Sequence, residues 1–329
     1  MAFPSESIMT RLGISKGREL GSGQIRIEDQ ASFPYVYGPF EKPVIHADPG
    51  SVLTIETHDA FEGKLTSESD MPAEKLGFPY LNPQTGPVYI NGAQKGDCLA
   101  VHIRSIKPRG PQPVGTTCLI KEFGGLVGTG ATAMLNDPLP ERVKKMHVDE
   151  DGVRWNDDIV LPYEPFIGTI GVAPEIEAIS SLQPDYYGGN MDLPDVAPGS
   201  IIYLPVNVDG AHLYMGDCHA IQGDGEVSGV ALEIPATVEV YVDLIKDYKI
   251  AWPRLETEEF LMSIGCARPL EDAARIAYRE LIHWFSSIEA MDKIESYMFL
   301  TQCAKVRLGN MVDPKYCMGA SVSKRYFKG

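Results

Sequence analysis

The sequence predicts a mainly β protein with a helical hairpin near its C-terminal end, and three observations support this fold class. The chain has 329 residues, of which 32 are glycine and 25 are proline, and these residues occur throughout the first three quarters. Between them lie short alternating or apolar runs, which are typical of strands. After about residue 255 the apolar residues recur every three to four positions, which is the spacing of an amphipathic helix.

Five runs are the candidate strands, and three of them directly follow a glycine-containing turn. In one run, Leu99, Val101 and Ile103 share a face while the residues between them share the other, which indicates a half-buried strand. The candidate runs are residues 51–57, 97–106, 200–208, 230–234 and 236–242.

Two helices are expected in the last quarter of the chain. The first spans residues 269–284, where Pro269 suits the beginning of a helix. The second spans about Ala290 to Val306 and is followed by a returning strand. The residues expected to face inward on the second helix are Ile294, Tyr297, Met298 and Ala304. We therefore divide the chain into an N-terminal β-rich lobe (1–130), a central β-rich lobe (131–255) and the hairpin with its strand (256–329), all in one multi-lobed unit.

Composition excludes several classes of partner. The formal net charge is -16, so the surface repels phosphate backbones and anionic lipids, and we expect neither nucleic acid nor membrane as a partner. No apolar run reaches the ~18 residues of a transmembrane helix. The N-terminal residues lack the apolar core of a signal peptide, and the six cysteines are scattered. These features predict a cytoplasmic protein with reduced thiols.

The segment Met215–Glu226, MGDCHAIQGDGE, carries the densest chemistry of the chain. In an extended segment Asp217 and His219, two residues apart, point the same way. A carboxylate oxygen and an imidazole nitrogen together suit zinc and similar divalent ions. The alternative is a hydrophilic turn, because Gly-Asp-Gly is an ordinary turn signal.

Other polar residues stand at positions from which they can join this segment. Asn190 and Asp192 follow paired glycines, and Asp59 stands where a strand leaves the core. Glu233 interrupts an apolar run, and we expect it on the exposed face because uncompensated burial of a carboxylate costs several kcal/mol. The glycine-rich run 124–130 favours a turn, since it lacks the Gly-Lys-Ser/Thr ending of a phosphate-binding loop.

Taken in order, several blocks resemble the acetamidase/formamidase family from about residue 35 to about residue 325. These blocks are ETHDAF, TGPVYINGAQKGDCLAV, GTIGVAPE, GGNMD and YLPVNVDGAHLYMGDCHAIQGDGEV. The resemblance implies a β-sandwich, jelly-roll-like body with barrel-like and α/β elements. It also implies a homo-oligomer that hydrolyses the C–N bond of a small linear amide to carboxylate and ammonia. A divalent metal is implied as well, zinc in the first place and calcium as the alternative.

The resemblance implies the following roles for residues of this chain. The expected metal ligands are Asp59, Asp192, Asp217 and His219. Glu226 is expected to act as the general base, a role that typically contributes about 10²–10⁴-fold. Asp224 is expected to orient His219, and Glu233 to be a further catalytic carboxylate. Residues expected to bind the substrate are Asn190, Gln222 and Tyr187, of which Tyr187 replaces part of the family's pattern and suits a larger acyl group.

Three alternatives stay open at this stage. One is a γ-lactamase or a hydrolase of larger amides within the same family. Another is an amidase with Cys218 as nucleophile, although on a strand its side chain points away from Asp217 and His219. The third is a non-enzymatic binding protein with a structural calcium site. Oxygen ligands favour calcium, whereas His219 favours a softer ion.

Overall fold

Two large β-sheets packed face to face form the body of the protein. The structure, a computed structural model, describes residues 7–11, 24–28, 30, 32–110, 113–127, 139–149, 151–289 and 291–327. Strands and helices are numbered here along the chain. Most of the regular structure in the described residues is strand, which confirms the predicted mainly β class.

The first sheet has nine strands, contributed by all three predicted lobes. Their spatial order is β1 (Gln24–Ile27), β4 (Val52–Thr57), β17 (Ala236–Ile245), β6 (Cys98–Pro108), β14 (Ile201–Pro205), β18 (Arg254–Glu256), β19 (Phe260–Ala267), β21 (Tyr316–Ser323) and β20 (Lys305–Asn310). Four of the five predicted runs correspond to β4, β6, β14 and β17. The fifth, 230–234, is a strand only at its last two residues.

The second sheet has ten strands and carries the polar segment of interest. Along its main path lie β10 (Val160–Leu161), β9 (Gly152–Arg154), β8 (Arg142–Asp149), β7 (Val114–Leu119), β16 (Glu233–Ile234), β15 (Leu213–His219), β11 (Phe166–Val172) and β13 (Gly188–Asn190). Off this path, β5 (Gln84–Ile90) pairs with β15, and β3 (Ile45–Ala47) pairs with β5. A separate small sheet joins β2 (Val36–Tyr37) and β12 (Ile179–Ser180). Neither large sheet closes into a barrel among the described strands, so the barrel-like elements implied by the resemblance are open sheets.

The main core lies between the two sheets, and a second core lies between the nine-stranded sheet and the helices. Leu99 of β6 and Ile170 of β11 belong to the first core, whereas Ala100 of β6 packs in the second core with Leu281 and Trp284. The first half of β6 is therefore buried on both faces, and its predicted exposed face is covered by helices. The helices are α1 (Ile8–Arg11), α2 (Pro72–Lys75), α3 (Leu270–Ile288), α4 (Lys293–Cys303) and a 3₁₀ helix (Lys324–Tyr326).

The predicted hairpin exists, but its second helix is shorter and rotated relative to the prediction. Ile294, Tyr297 and Met298 of α4 are 70%, 59% and 67% exposed, so the prediction that they face inward is wrong. The buried residues of α4 are instead Ser296 and Leu300, one helical turn apart. Residues 305 and 306, predicted as helical, begin β20.

The expected homo-oligomer stays a prediction.

Several smaller expectations concern single residues or the absence of a spanning helix. All six cysteines are free thiols. None of the helices in the described ranges combines the length and apolar character needed to cross a bilayer. Residues 124–127 of the glycine-rich run form turns, and residues 128–130 lie outside the described residues.

Glu256 joins three distant parts of the chain through one buried carboxylate. It is 0% exposed and accepts hydrogen bonds from Tyr203 Oη (2.7 Å) and from the backbone nitrogen of Ile8 (2.8 Å). The Lys324 Nζ atom donates to it at 2.6 Å and supplies the positive charge. This carboxylate thereby fixes α1 and the 3₁₀ helix to the nine-stranded sheet.

We expect Lys324→Met to lower the free energy of unfolding by about 3–5 kcal/mol, because it leaves a buried carboxylate without its counter-charge. The matched control is Lys95→Met, which breaks an exposed ion pair with Glu175 and should cost at most about 1 kcal/mol. Urea denaturation of both variants measures the difference. Equal losses would contradict a specific role for the Glu256 contact.

Candidate active site

Strand β15 brings a carboxylate and an imidazole to the same face of the ten-stranded sheet. His219 Nε2 lies 3.5 Å from Asp217 Oδ1, so the structure places these two side chains together as their spacing predicts. Across the strand pair, His219 stands opposite Glu233 of β16, and its Nε2 lies 3.3 Å from Glu233 Oε2. Glu233 is only 2% exposed, so the expectation that it lies on an exposed face is wrong. The sequence run could not reveal this, since the burial follows from the pairing of β16 between β15 and β7.

Two groups of potential metal ligands share His219. One contains Asp217, His219 and Glu233, and the other contains Asp192, His219 and Glu226. Within each group the ligand atoms lie within 4.8 Å of one another. All five side chains are buried, the most exposed being Glu226 at 7%.

Three of these carboxylates stand on backbone in the left-handed region. The φ angles are 48° at Asp192, 54° at Asp217 and 47° at Glu226. Such values are uncommon for residues other than glycine, and they cluster at functional sites, where the surrounding structure maintains them. The backbone strain therefore marks the same residues as the ligand geometry does.

The orientation of Asp217 is set by two hydrogen-bond donors from neighbouring strands and loops. Its Oδ2 accepts from Asn82 Nδ2 at 2.8 Å and from Thr169 Oγ1 at 2.9 Å. Both donors contact the same oxygen, and Oδ1 is thus left to face His219. Asn190 belongs to the same network, since its Oδ1 accepts from Asn82 Nδ2 and lies against Thr169 Oγ1.

Gln222 fixes the tautomer of His219. Its Nε2 donates to the carbonyl oxygens of Asp192 (2.9 Å) and Gly309 (3.0 Å), so its Oε1 must face the imidazole. That oxygen lies 3.0 Å from His219 Nδ1. Since an amide oxygen can only accept, Nδ1 carries a proton, which leaves Nε2 as the nitrogen that can give up its proton to a metal. This is the arrangement in which a neutral histidine binds a metal.

Two residues of this segment have contacts other than those expected, and their roles stay predictions. Gln222 was expected to bind substrate, but its amide is occupied by His219 and two carbonyls. Asp224 was expected to orient His219, but its side chain is 52% exposed and accepts from Arg307 Nη1 at 2.8 Å. Alternation along an extended segment suggested the role of Asp224, whereas the chain turns after β15.

Two further expected residues lie outside the ligand groups. Asp59 Oδ1 accepts from the backbone nitrogens of Phe61 (3.1 Å) and Gly63 (2.7 Å), so it stabilises a turn and is not grouped with the other ligands. Tyr187 is 0% exposed in the main core, and its hydroxyl donates to the Gln183 carbonyl at 2.7 Å. Its ring packs between the sheets and outside both ligand groups, and its assignment to the substrate stays a prediction.

The sequence reasoning missed several residues that complete the site. Asp313, 3% exposed, accepts from Asn190 Nδ2 at 2.8 Å, and Asn310 Nδ2 donates to Asp192 Oδ2 at 3.2 Å. Thr169 lies in the GTIGVAPE block and Asp313 near the end of the chain. Both lie within the region of resemblance, but their spacing gave no reason to connect them with β15.

The protein groups of the site carry more negative than positive charge. Burial raises the pKa of Glu233 to about 8 and that of Asp313 to about 7. Burial, followed by the neighbouring Glu226, also raises the pKa of Asp192 well above its usual range. Desolvation alone would lower the pKa of His219, but Glu233 and Asp217 outweigh it and raise that pKa. Buried carboxyls in such numbers need protons or a cation to compensate them.

Unpartnered atoms point to a cation as the compensating group. Asp192 Oδ1, His219 Nε2 and Glu233 Oε2 are buried without a hydrogen bond, because the short contacts of His219 lack hydrogen-bond geometry. Gly168 of β11 provides the room between them. A Cβ at that position would lie 2.8 Å from Asp192 Oδ1 and 2.8 Å from His219 Cε1. The donor set of carboxylate oxygens and one imidazole fits a divalent metal.

A small cavity ends on these groups. Its volume is about 30 Å³, and its polar residues are Asn82, Asn190, Asp217, Glu226, Glu233 and Asp313. Its other walls are apolar, Phe61 and Leu81 among them. A cavity that holds one water needs at least about 10–15 Å³ by this measure, so the space suits one or two small polar molecules.

The structure argues against the cysteine alternative. Cys218 is 0% exposed and belongs to the main core, on the other side of β15 from His219. Burial raises the pKa of its thiol to about 12. A thiol in this state supplies almost no thiolate at neutral pH, and the thiolate is the nucleophile.

Comparison with known proteins identifies related chains. Residues 37–184 and 175–327 match the Acetamidase/Formamidase family. A crystal structure of acetamidase from Yersinia enterocolitica is 51% identical, with a TM-score of 0.94 over 98% of both chains. A crystal structure of acetamidase from Bacillus halodurans is 31% identical, with a TM-score of 0.83 over 92% of this chain and 98% of that one.

Among the curated relatives, a formamidase from Methylophilus methylotrophus is 40% identical, and the match covers 60% of this chain. The chain spans about three fifths of the length of the curated relatives that it matches, 60% in this case and 62% in two others.

We expect Gly168→Ala to weaken metal binding by about 10–100-fold, because a methyl group there would displace the atoms around the ligands. The matched control is Gly223→Ala in the neighbouring loop, where an added Cβ meets nothing within 4 Å. Elemental analysis of the purified variants, with titration of metal into the metal-free forms, measures the effect. Full metal content in Gly168→Ala would disprove the proposed ligand position.

Proposed function

Because the chain belongs to the acetamidase/formamidase family, we propose that it hydrolyses the C–N bond of a small linear amide to a carboxylate and ammonia. The observation that carries this proposal is the cavity of about 30 Å³ that ends on Asn190, Glu226 and Glu233. It is small enough to favour a formamide-like or acetamide-like substrate over a larger one. The names of the acetamidases and the formamidase described above indicate substrates of this size, acetamide and formamide.

We propose zinc as the metal and Asp217, His219 and Glu233 as its three protein ligands, which leaves the fourth position open. Asp192 is grouped with His219 and Glu226 instead, and it faces the same imidazole. Two ligands of a tetrahedral zinc with bonds of about 2.1 Å lie about 3.4 Å apart. The separations of His219 Nε2 from Asp217 Oδ1 and Glu233 Oε2, 3.5 and 3.3 Å, agree with this value. Calcium takes six to eight oxygen ligands, and the imidazole therefore argues for the softer ion. Bound here, zinc would supply Lewis acidity and would lower the pKa of a water molecule towards ~7.

The protein's own groups then have distinct tasks. Glu226 lines the cavity, and burial raises the pKa of its carboxyl, which brings it nearer to the range of a general base. We propose that it takes the proton from the attacking water and delivers it to the departing nitrogen. Asn190 uses one amide N–H on Asp313, so its second N–H is available to the substrate carbonyl.

We expect Glu226→Gln to retain the metal and to lose activity by about 10²-fold or more, because the proton acceptor is removed while the ligands remain. His219→Ala should lose both metal and activity. The matched control is Asp224→Asn, two residues from Glu226 but exposed and paired with Arg307, which should keep both. Ammonia release from formamide and acetamide, with elemental analysis of each variant, makes the measurement.

Metal removal completes this test. Wild-type protein dialysed against a chelator should lose amidase activity and regain it on addition of zinc. Full activity in protein shown to be free of metal would contradict the role of the ion. If the wild-type protein with its metal released no ammonia from any short amide and opened no lactam to its amino acid, the proposed function would fail and the binding-protein alternative would gain support.

A further inference from the structure

We propose that Phe123 sets the upper size limit of the acyl group that this enzyme accepts, an inference that rests on the proposed amide hydrolysis. Phe123 lines the cavity that ends on the carboxylates. It lies in the connection after β7, well outside the polar motifs. Its proposed role is to select substrates by size, and it is not one of the proposed metal ligands.

The apolar walls of the cavity belong to a third hydrophobic cluster, separate from the two larger cores. Phe61, Leu81 and Ile120 are buried members of this cluster, whereas Phe123 and Leu182 are only partly buried and pack against it. All five line the cavity. The two partly buried side chains therefore mark the side on which the cavity approaches solvent.

The position of Phe123 is tied to the turn that carries Glu226. A Cβ on Gly229 would lie 2.5 Å from Phe123 Cδ1, so the ring packs directly on the glycine backbone. The backbone nitrogen of Gly125 donates to the Val227 carbonyl at 2.9 Å, and that of Gly229 donates to the Glu226 carbonyl at 2.7 Å. The loop of the ring and the turn of the proposed general base are thus joined by one set of backbone contacts.

The space between these groups leaves little room for a longer acyl chain. The cavity of about 30 Å³ holds roughly two water-sized volumes, each at least about 10–15 Å³. A formyl or acetyl group can occupy such a space, but each added methylene must displace a wall. Phe123 and Leu182 are the partly buried apolar side chains of the cavity. Phe123 has the larger side chain and packs on Gly229 in the turn of Glu226, so we assign the size limit to Phe123.

A second pocket offers a competing route to Glu226 and makes the proposal testable. Its volume is about 480 Å³, and its apolar lining includes Met146, Trp155 and Leu232. Glu226 and Val230 line both this pocket and the small cavity. If larger amides reached the carboxylate from this side, Trp155 would determine the size limit and Phe123 would not.

The experiment compares kcat/KM for formamide, acetamide, propionamide and butyramide in the metal-loaded wild type and variants. In Phe123→Ala we expect the butyramide-to-formamide ratio of kcat/KM to rise by at least about 10-fold, since one methylene in an apolar pocket changes discrimination by about 10–200-fold. A ratio is unaffected by the fraction of protein that is folded. Phe123→Trp should act in the opposite direction and lower the acetamide-to-formamide ratio.

Two control variants decide between the routes. Phe78→Ala removes an exposed ring whose centroid is 6.0 Å from that of Phe123 but which does not line the cavity, and it should leave the ratios unchanged. Trp155→Ala should also leave them unchanged. Unaltered ratios in both Phe123 variants, or a larger change in Trp155→Ala, would overturn the inference while amide hydrolysis itself stands. Absence of ammonia release by the wild type would instead defeat the proposed function.

Discussion

The burial of several carboxylates around one imidazole is the constraint on which the rest of the structure depends. Asp192, Asp217 and Glu233 are each at most 2% exposed and lie close to His219, which is 0% exposed. Such a cluster is unfavourable unless it is compensated by hydrogen-bond donors, protons or a cation. The surrounding strands supply amide and hydroxyl donors to the carboxylates. A glycine lies where any side chain would collide, and the backbone is left-handed at three of the carboxylates.

Local patterns in the sequence predicted the parts of the molecule that local physics determines. The alternating or apolar runs predicted four strands of the nine-stranded sheet, because the two-residue period reflects burial of one face. The three-to-four spacing gave α3 for the same kind of reason. The pair Asp217 and His219 was predictable because both stand on one short segment, and Asp192 and Glu226 were identified through motifs that resemble a known family.

The remaining features depend on which strand lies beside which, and no single segment contains that information. Glu233 is a member of the cluster because β16 pairs with β15, and Thr169 supports Asp217 because β11 lies on the other side. Tyr187 was assigned to the substrate from its neighbours in sequence, although the packing of the two sheets encloses it. The prediction of the buried face of α4 was wrong for a similar reason, since the helix packs through Ser296 and Leu300.

The long sequence separation of the contacts around Asn190 has a consequence for biosynthesis. Asn190 donates to Asp313, 123 positions later in the chain. At a translation rate of about 5–20 residues per second, the ribosome needs about 6–25 s to add that length. Well before this interval ends β11, β13 and β15 have been synthesised, but one partner of their polar network does not yet exist. The centre therefore assembles late, and chains that stop before Asp313 lack part of the support beneath their carboxylates.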